Sequence, residues 1–173
     1  MKNSSRSKET GVTLIELIIV ISLLSVILTL GSINLFRPYQ TATLDTATEN
    51  IKSLVREAQS KAINTDTQGD PASDDYGVHF EIGRAILFKG AIYSNGDPAN
   101  FEISLPSNMT ANPNLPCPSP PGNCNNIVLQ RISGEVVNFS SSQNSVCITE
   151  NSSGKNISLS VNFVGVVNTQ NGC

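Results

Sequence analysis

The sequence predicts an α+β protein: a long N-terminal α-helix packed on antiparallel β-sheets. Three observations predict it. An apolar run of 24 residues covers 12–35, and apolar residues then recur at helical spacing up to residue 63. Beyond residue 75, short runs of aliphatic and aromatic residues alternate with turn residues. We therefore expect an N-terminal tail over 1–11, two halves of one helix over 12–36 and 37–63, and a β-rich domain over 64–173.

The N-terminal tail carries Lys2, Arg6, Lys8 and Glu9. A basic tail before an apolar run is typical of a segment whose N-terminus stays in the cytoplasm. Removing these three bases and one acid from the totals of 11 and 14 leaves 8 bases and 13 acids for the remaining chain. An acidic remainder disfavours nonspecific binding to phosphate backbones, so nucleic acid is not an expected partner.

The apolar run is long enough to cross a membrane. As a helix, 24 residues span about 36 Å against a hydrocarbon core of about 30 Å. A cleaved secretory signal has a shorter apolar region, and a core helix this apolar on all sides needs a larger protein around it. An ordinary membrane anchor stays open as an interpretation. It leaves Glu16 unexplained, because an acid within a membrane segment usually has a partner.

The stretch KETGVTLIE, residues 8–16, resembles the type IV prepilin processing site. The resemblance implies that a prepilin peptidase cuts after Gly11, removes the leader 1–11 and methylates Val12. It also implies that Glu16, the fifth residue of the mature chain, is the assembly carboxylate. The usual first mature residue of the family is phenylalanine, where this chain has valine.

Gly31 and Pro38 interrupt the helical pattern, because glycine loosens a helix and proline removes a hydrogen bond. The resemblance to pilins implies that the helix partly melts there on assembly, and a simple kink is the alternative. After Pro38 the apolar residues fall at spacings of three and four and predict one buried stripe. The stripe comprises Leu44, Ala47, Ile51, Leu54, Val55, Ala58 and Ala62.

The region after residue 75 predicts seven short strands, at 76–82, 85–93, 101–105, 127–132, 136–139, 146–149 and 157–167. Gly83 and Arg84 are the predicted turn of the first hairpin. The proline-rich stretch 107–126 is predicted to be a loop. Four aspartates between residues 66 and 75 are interpreted as a solvated connector, with calcium binding as the alternative.

The cysteines lie in the C-terminal third, on the side that the charge rule places outside the cytoplasm, so disulfides are expected. Four cysteines allow three pairings. Two compact pairs are favoured: Cys117 with Cys124, and Cys147 with Cys173. Zinc is the rival interpretation, but this third holds no histidine and no CxxC pair, so no metal site is expected.

The sequence shows no catalytic constellation. His79 is the only histidine and falls within a predicted strand, so an enzyme is not expected and neither is a cofactor. The region from Thr48, the YGVHF stretch and the last seventeen residues are similar to H-type minor pseudopilins and minor pilins.

These resemblances imply a structural subunit, minor in abundance, of a type IV pilus, competence pilus or type II secretion pseudopilus. Its partners would be other pilin or pseudopilin subunits, the prepilin peptidase, the inner membrane and the pilus assembly platform. The precursor would lie in the cytoplasmic (inner) membrane, and the mature chain in an extracytoplasmic filament at the cell surface or in the periplasm. The alternative is a membrane-tethered extracytoplasmic binding protein that does not polymerise.

Overall fold

The computed structural model describes residues 13–64, 74–116 and 124–173, with the side chains of residues 30–42 outside this description. Within these residues, one helix, α1 (Leu14–Ile63), precedes eight strands. The strands are β1 (Tyr76–Glu81), β2 (Arg84–Lys89), β3 (Phe101–Ser104), β4 (Met109–Asn114), β5 (Asn126–Leu129), β6 (Ser145–Glu150), β7 (Asn156–Val161) and β8 (Val167–Asn171). The chain divides into two compact units, Met1–Tyr39 and Gln40–Cys173.

The described part of the first unit is the apolar beginning of α1. Its large apolar side chains are exposed on every side of the helix, with fractional exposures from 52% at Ile19 to 78% at Leu14. A helix that is apolar all round is one whose natural surroundings are other apolar groups. Within the residues that the structure describes, we find no helix with the length and hydropathy needed to cross a membrane. The predicted span 12–36 also includes residue 12 and the side chains of 30–36, which lie outside that description.

The second unit holds two four-stranded antiparallel sheets. The first has the strand order β3-β2-β1-β5, and the second has the order β4-β6-β7-β8. Alternating burial along β6 and β7 shows that one face of the second sheet meets the core and the other does not. The six ladders between the described strands are antiparallel, and the predicted α+β class is confirmed.

The core of the second unit joins the helix to both sheets. All seven residues of the predicted helical stripe are buried, from Leu44 to Ala62. They share one apolar cluster with strand residues such as Val78 of β1, Ile148 of β6 and Leu159 of β7. At about 25 cal/mol per Å² of apolar surface, this shared burial is the dominant stabilising contribution to the unit.

Three strand predictions are wrong. Strand β4 lies inside the stretch predicted as a loop, and it tolerates Pro113 because it is the edge strand of its sheet. Residues 136–139 form no strand, and Val136 makes only an isolated bridge to Leu129. The predicted strand 157–167 is two strands, since a turn at 162–166 with Gly165 at φ +80° returns the chain as β8.

The first hairpin turn is displaced by one residue from its prediction. Glu81 pairs with Arg84, so the turn residues are Ile82 and Gly83. Behind this turn, the backbone N–H of Ala111 donates to Ile82 O at 3.3 Å and links β4 to the first sheet. The two sheets are thus joined by a backbone hydrogen bond as well as by the core.

A buried carboxylate organises the turn between β6 and β7. Glu150 is fully shielded from solvent and accepts hydrogen bonds from the backbone N–H groups of Ser152 and Ser153 at 3.1 and 2.7 Å. Asn108 Nδ2 donates a third bond at 2.8 Å. Hydrogen bonding from Ser153, then from Ser152, lowers the pKa of Glu150 to about 2, although burial acts in the opposite direction.

Candidate assembly site

Helix α1 begins immediately after Thr13, which caps it. Thr13 O accepts hydrogen bonds from the backbone N–H groups of Glu16 and Leu17 at 3.1 and 3.2 Å, and Thr13 Oγ1 lies 3.4 Å from Glu16 N. A threonine at this position satisfies N–H groups that the first turn of a helix leaves without intrahelical partners. The capping fixes the start of the helix at Leu14, two residues before Glu16.

Glu16 lies in the first turn of α1, with its side chain exposed. A carboxylate there is favoured by the partial positive charge of the helix N-terminus. That interaction is modest at an exposed position, so it leaves most of the charge available to a further cation. The acid is flanked on both sides by exposed apolar residues, Ile15 at 67% and Leu17 at 54%.

Three hydroxyl groups in the described apolar part of α1, those of Ser22, Ser25 and Thr29, form hydrogen bonds inside the helix. Ser22 Oγ donates to Ile19 O and Ser25 Oγ donates to Ile21 O, both at 2.8 Å. Thr29 Oγ1 lies 2.7 Å from Ser25 O. Because these three hydroxyls need no outside partner, they can enter apolar surroundings without being left unpaired.

Gly11 and Val12, the predicted cleavage and methylation positions, lie outside the described residues. The backbone of α1 is helical through positions 31 and 38, whereas the side chains there lie outside the description. The predicted kink or melting at Gly31 and Pro38 stays a prediction.

Cys147 and Cys173 form a disulfide with a Cα to Cα distance of 5.8 Å, which is one of the two favoured pairs. Cys124 is also disulfide-bonded. Its favoured partner, Cys117, lies outside the described residues. The Cys147 bond fastens the end of the chain beyond β8 to the neighbouring part of the same sheet.

His79 is a structural residue on the surface of the first sheet. Its ring stacks on Tyr93 with the ring centroids 4.0 Å apart, and its Nδ1 contacts Asn126 Oδ1. Beside it, Arg84 Nε donates to Glu81 Oε2 at 2.6 Å, and this hydrogen bond lowers the pKa of the Glu81 carboxyl. These contacts fasten the segment after β2 to the sheet.

Two of the four clustered aspartates are described. Asp74 Oδ2 lies 3.9 Å from Lys89 Nζ, and Asp75 Oδ1 accepts a 2.8 Å hydrogen bond from the backbone N–H of Arg131. Asp66 and Asp70 lie outside the described residues. Across the described ranges, no group of three or more His, Cys, Asp or Glu side chains is arranged to hold a metal ion.

Glu150 is the feature that sequence reasoning missed. The available signal for Glu150 was its position directly before the turn sequence Asn-Ser-Ser-Gly, where successive backbone N–H groups converge.

Among solved structures, the chain is similar to the minor pseudopilin EpsH from the type 2 secretion system of Vibrio cholerae. The two share 14% sequence identity with a TM-score of 0.48, over 74% of this chain and 96% of that one. No curated protein sequence matches the chain.

The model of the prokaryotic N-terminal methylation motif matches residues 6–32. This match covers the capped start of α1, Glu16 and the hydroxyl-bearing apolar turns described above. The chain therefore carries the prokaryotic N-terminal methylation motif at the start of α1.

Proposed function

We propose that the chain is a minor structural subunit of an extracytoplasmic filament, namely a type IV pilus, a competence pilus or a type II secretion pseudopilus. A prepilin peptidase would cut it after Gly11 while it sits in the inner membrane. The assembly platform would then bring it into the filament beside other pilin or pseudopilin subunits.

The observation that carries this proposal is the first unit of the helix, where apolar side chains are exposed on every side and one acid lies in the first turn. A helix with such a surface leaves the lipid only if other apolar helices take the place of the lipid around it. At about 25 cal/mol per Å² of buried apolar surface, a bundle of such helices supplies that replacement.

Glu16 determines how the bundled helices align. A carboxylate among apolar helices is costly unless a cation accompanies it. The amino group that cleavage creates at Val12 of a neighbouring subunit is such a cation. Pairing of the two groups fixes the axial step between subunits, whereas its net contribution to stability is small because both charges must be desolvated.

The experiment compares Glu16→Gln with a matched control, Glu57→Gln, in the native host. Both acids lie on α1 and both side chains are exposed, but Glu57 belongs to the second unit. We expect Glu16→Gln to lower the amount of the chain in sheared filaments by more than about tenfold. The substitution removes the negative charge of the buried pair and leaves the amino group of Val12 without its partner. Membrane insertion and leader removal should persist, and Glu57→Gln should assemble normally.

Normal filament incorporation of the Glu16→Gln chain would contradict the proposal. If neither the Glu16→Gln nor the Glu57→Gln variant enters filaments and both still act at the cell surface, the protein is instead a membrane-tethered binding protein. The abundance of the chain relative to other subunits in purified filaments separates a minor from a major role.

A further inference from the structure

We propose that Asn95, in the loop between β2 and β3, is a site of spontaneous deamidation at which the hydroxyl group of Tyr93 activates the side-chain amide. The co-reactant is water, and the products are ammonia and a carboxylate in place of the amide. The proposal is independent of filament assembly. It rests on the geometry of one exposed turn and on a comparison with a second Asn-Gly pair near the end of the chain.

The sequence contains two Asn-Gly pairs, Asn95–Gly96 and Asn171–Gly172. In such a pair the backbone nitrogen of the glycine can attack the amide carbon of the asparagine, because glycine has no Cβ to obstruct the approach. All four residues are exposed. Exposure therefore does not distinguish the two pairs, and the difference between them lies in their hydrogen bonds.

The turn at Asn95 leaves the attacking nitrogen accessible. The backbone N–H of Asp97 lies 3.5 Å from Ser94 O, so a long hydrogen bond closes this turn weakly. Within the described stretch 74–116 and the other described ranges, no residue accepts a hydrogen bond from the N–H of Gly96. Nothing lies within 4 Å of the Cβ position of Gly96, so there is room for a ring to close.

The second pair is fastened at its nitrogen. The N–H of Gly172 donates to Asn156 O at 3.1 Å, and the next residue, Cys173, is joined to Cys147 by the disulfide. Attack on Asn171 must first break this hydrogen bond and move a chain end that the disulfide holds. A group that reacts only after local opening reacts more slowly than one that is already accessible. Asn95 is therefore the faster site.

Tyr93 supplies a donor to the reacting amide. Its Oη donates to Oδ1 of Asn95 over 3.4 Å. Negative charge develops on this oxygen as the nitrogen attacks, and a donor directed at it stabilises that charge. The Tyr93 ring stacks on His79 with the centroids 4.0 Å apart and meets Phe88 edge-on at 5.6 Å. The sheet thus holds the hydroxyl beside the amide.

The reaction proceeds through a cyclic imide. The nitrogen of Gly96 gives its proton to water and forms a bond to Cγ of Asn95, while the amide nitrogen takes up a proton and leaves as ammonia. Water then opens the resulting succinimide at either carbonyl. One opening gives aspartate, and the other gives isoaspartate, in which the main chain runs through the side chain. Both products add a negative charge beside Asp97.

The test follows both asparagines in the same molecule. The full-length chain in detergent micelles is kept at physiological temperature and pH, reduced, digested with trypsin and analysed by mass spectrometry at successive times. We expect Asn95 to convert to carboxylate at least about fivefold faster than Asn171 in the folded chain. In denaturing guanidinium chloride the two rates should agree within about twofold, because the hydrogen bond at Gly172 and the placement of Tyr93 are lost.

Tyr93→Phe tests the donor, because it keeps the stacked ring and removes the hydroxyl. We expect deamidation of Asn95 to slow at least about threefold, with the rate at Asn171 unchanged. Ile92→Ala is the matched control. Ile92 precedes Tyr93 and is 79% exposed, so its truncation should leave the rate at Asn95 within about twofold of the wild type.

Equal rates at the two asparagines in the folded chain would overturn the proposal, and so would a difference that persists undiminished in denaturant. Unchanged deamidation of Asn95 in folded Tyr93→Phe would overturn the role of the hydroxyl. If circular dichroism shows that Tyr93→Phe does not fold, the comparison of folded and denatured wild-type chain decides alone.

Discussion

The backbone N–H of Ser153 donates a 2.7 Å hydrogen bond to Oε2 of Glu150, a carboxylate that solvent does not reach. The described residues supply this acid with neutral donors, which include the backbone N–H of Ser152, the side-chain amide of Asn108 and the side chains of Ser153 and Ser152. The charge is therefore stabilised by aligned dipoles, which also join the β6–β7 turn to the start of β4.

This relationship predicts how the second unit responds to acid. The pKa of Glu150 falls from 4.5 to about 2 on folding, so the ionised group stabilises the fold above pH 4.5. The stabilisation is lost as the pH falls through the interval from 4.5 to about 2. Glu150→Gln should melt at a lower temperature than the wild type at pH 7, and the difference should shrink across that interval. A difference in melting temperature that is independent of pH would contradict the prediction.

Gly77→Ala should destabilise the second unit, because an added Cβ would overlap the Phe88 ring and lie 2.7 Å from Ile127 O. Overpacking of this kind costs about 1–3 kcal/mol. Gly83→Ala is the matched control, since nothing lies within 4 Å of its Cβ position. Denaturant titration of both variants tests the prediction, and equal midpoints would show that β1 can move to accept a methyl group.

Removal of the disulfide through Cys147→Ala with Cys173→Ala should lower the free energy of unfolding by about 2–4 kcal/mol. The lost crosslink no longer restricts the unfolded chain, and the C-terminal end of β8 is no longer fastened. A reducing agent should destabilise the wild type more than the variant. Digestion without reduction should release a linked peptide pair containing both cysteines, and a link between Cys147 and Cys124 would contradict this pairing.

Leu54→Ala should destabilise the unit by about 2–5 kcal/mol, because Leu54 is 1% exposed within the core shared by helix and sheets. Arg56→Ala, on the exposed side of the same helical turn, should change stability by less than about 0.5 kcal/mol. Thermal unfolding followed by circular dichroism compares the two. Similar losses would mean that the helix contributes little to the core.

The N-terminus of the mature chain should be Val12, heavier by one methyl group, as the match at residues 6–32 leads us to expect. Intact-mass measurement of protein from the native host tests both cleavage and methylation. Detection of the chain with Met1 retained would contradict cleavage, and an unmodified Val12 would contradict methylation alone.

The helical stripe could be predicted from sequence because its signal is local. The apolar residues from Leu44 to Ala62 recur with the period of a helix, and each residue of this stripe is buried. Strand β4 could not be predicted in the same way, since Pro113 argues against a strand unless that strand lies at an edge. Edge position is a property of the whole sheet, not of the residues in one strand.

The same distinction between local and non-local signals applies to the candidate site and to Glu150. Glu16 stands out in the sequence because it is a single acid in an apolar run, but its expected partner belongs to a second chain. Glu150 has no such contrast with its neighbours, and its role depends on Asn108, which lies 42 residues earlier in the chain.

The apolar cluster shared by α1 and both sheets determines how the second unit unfolds. Neither sheet can separate without exposing the side of the helix that the other also covers. Amide protons of β1 and β6 should therefore exchange with deuterated solvent at similar, slow rates, in one concerted opening rather than layer by layer.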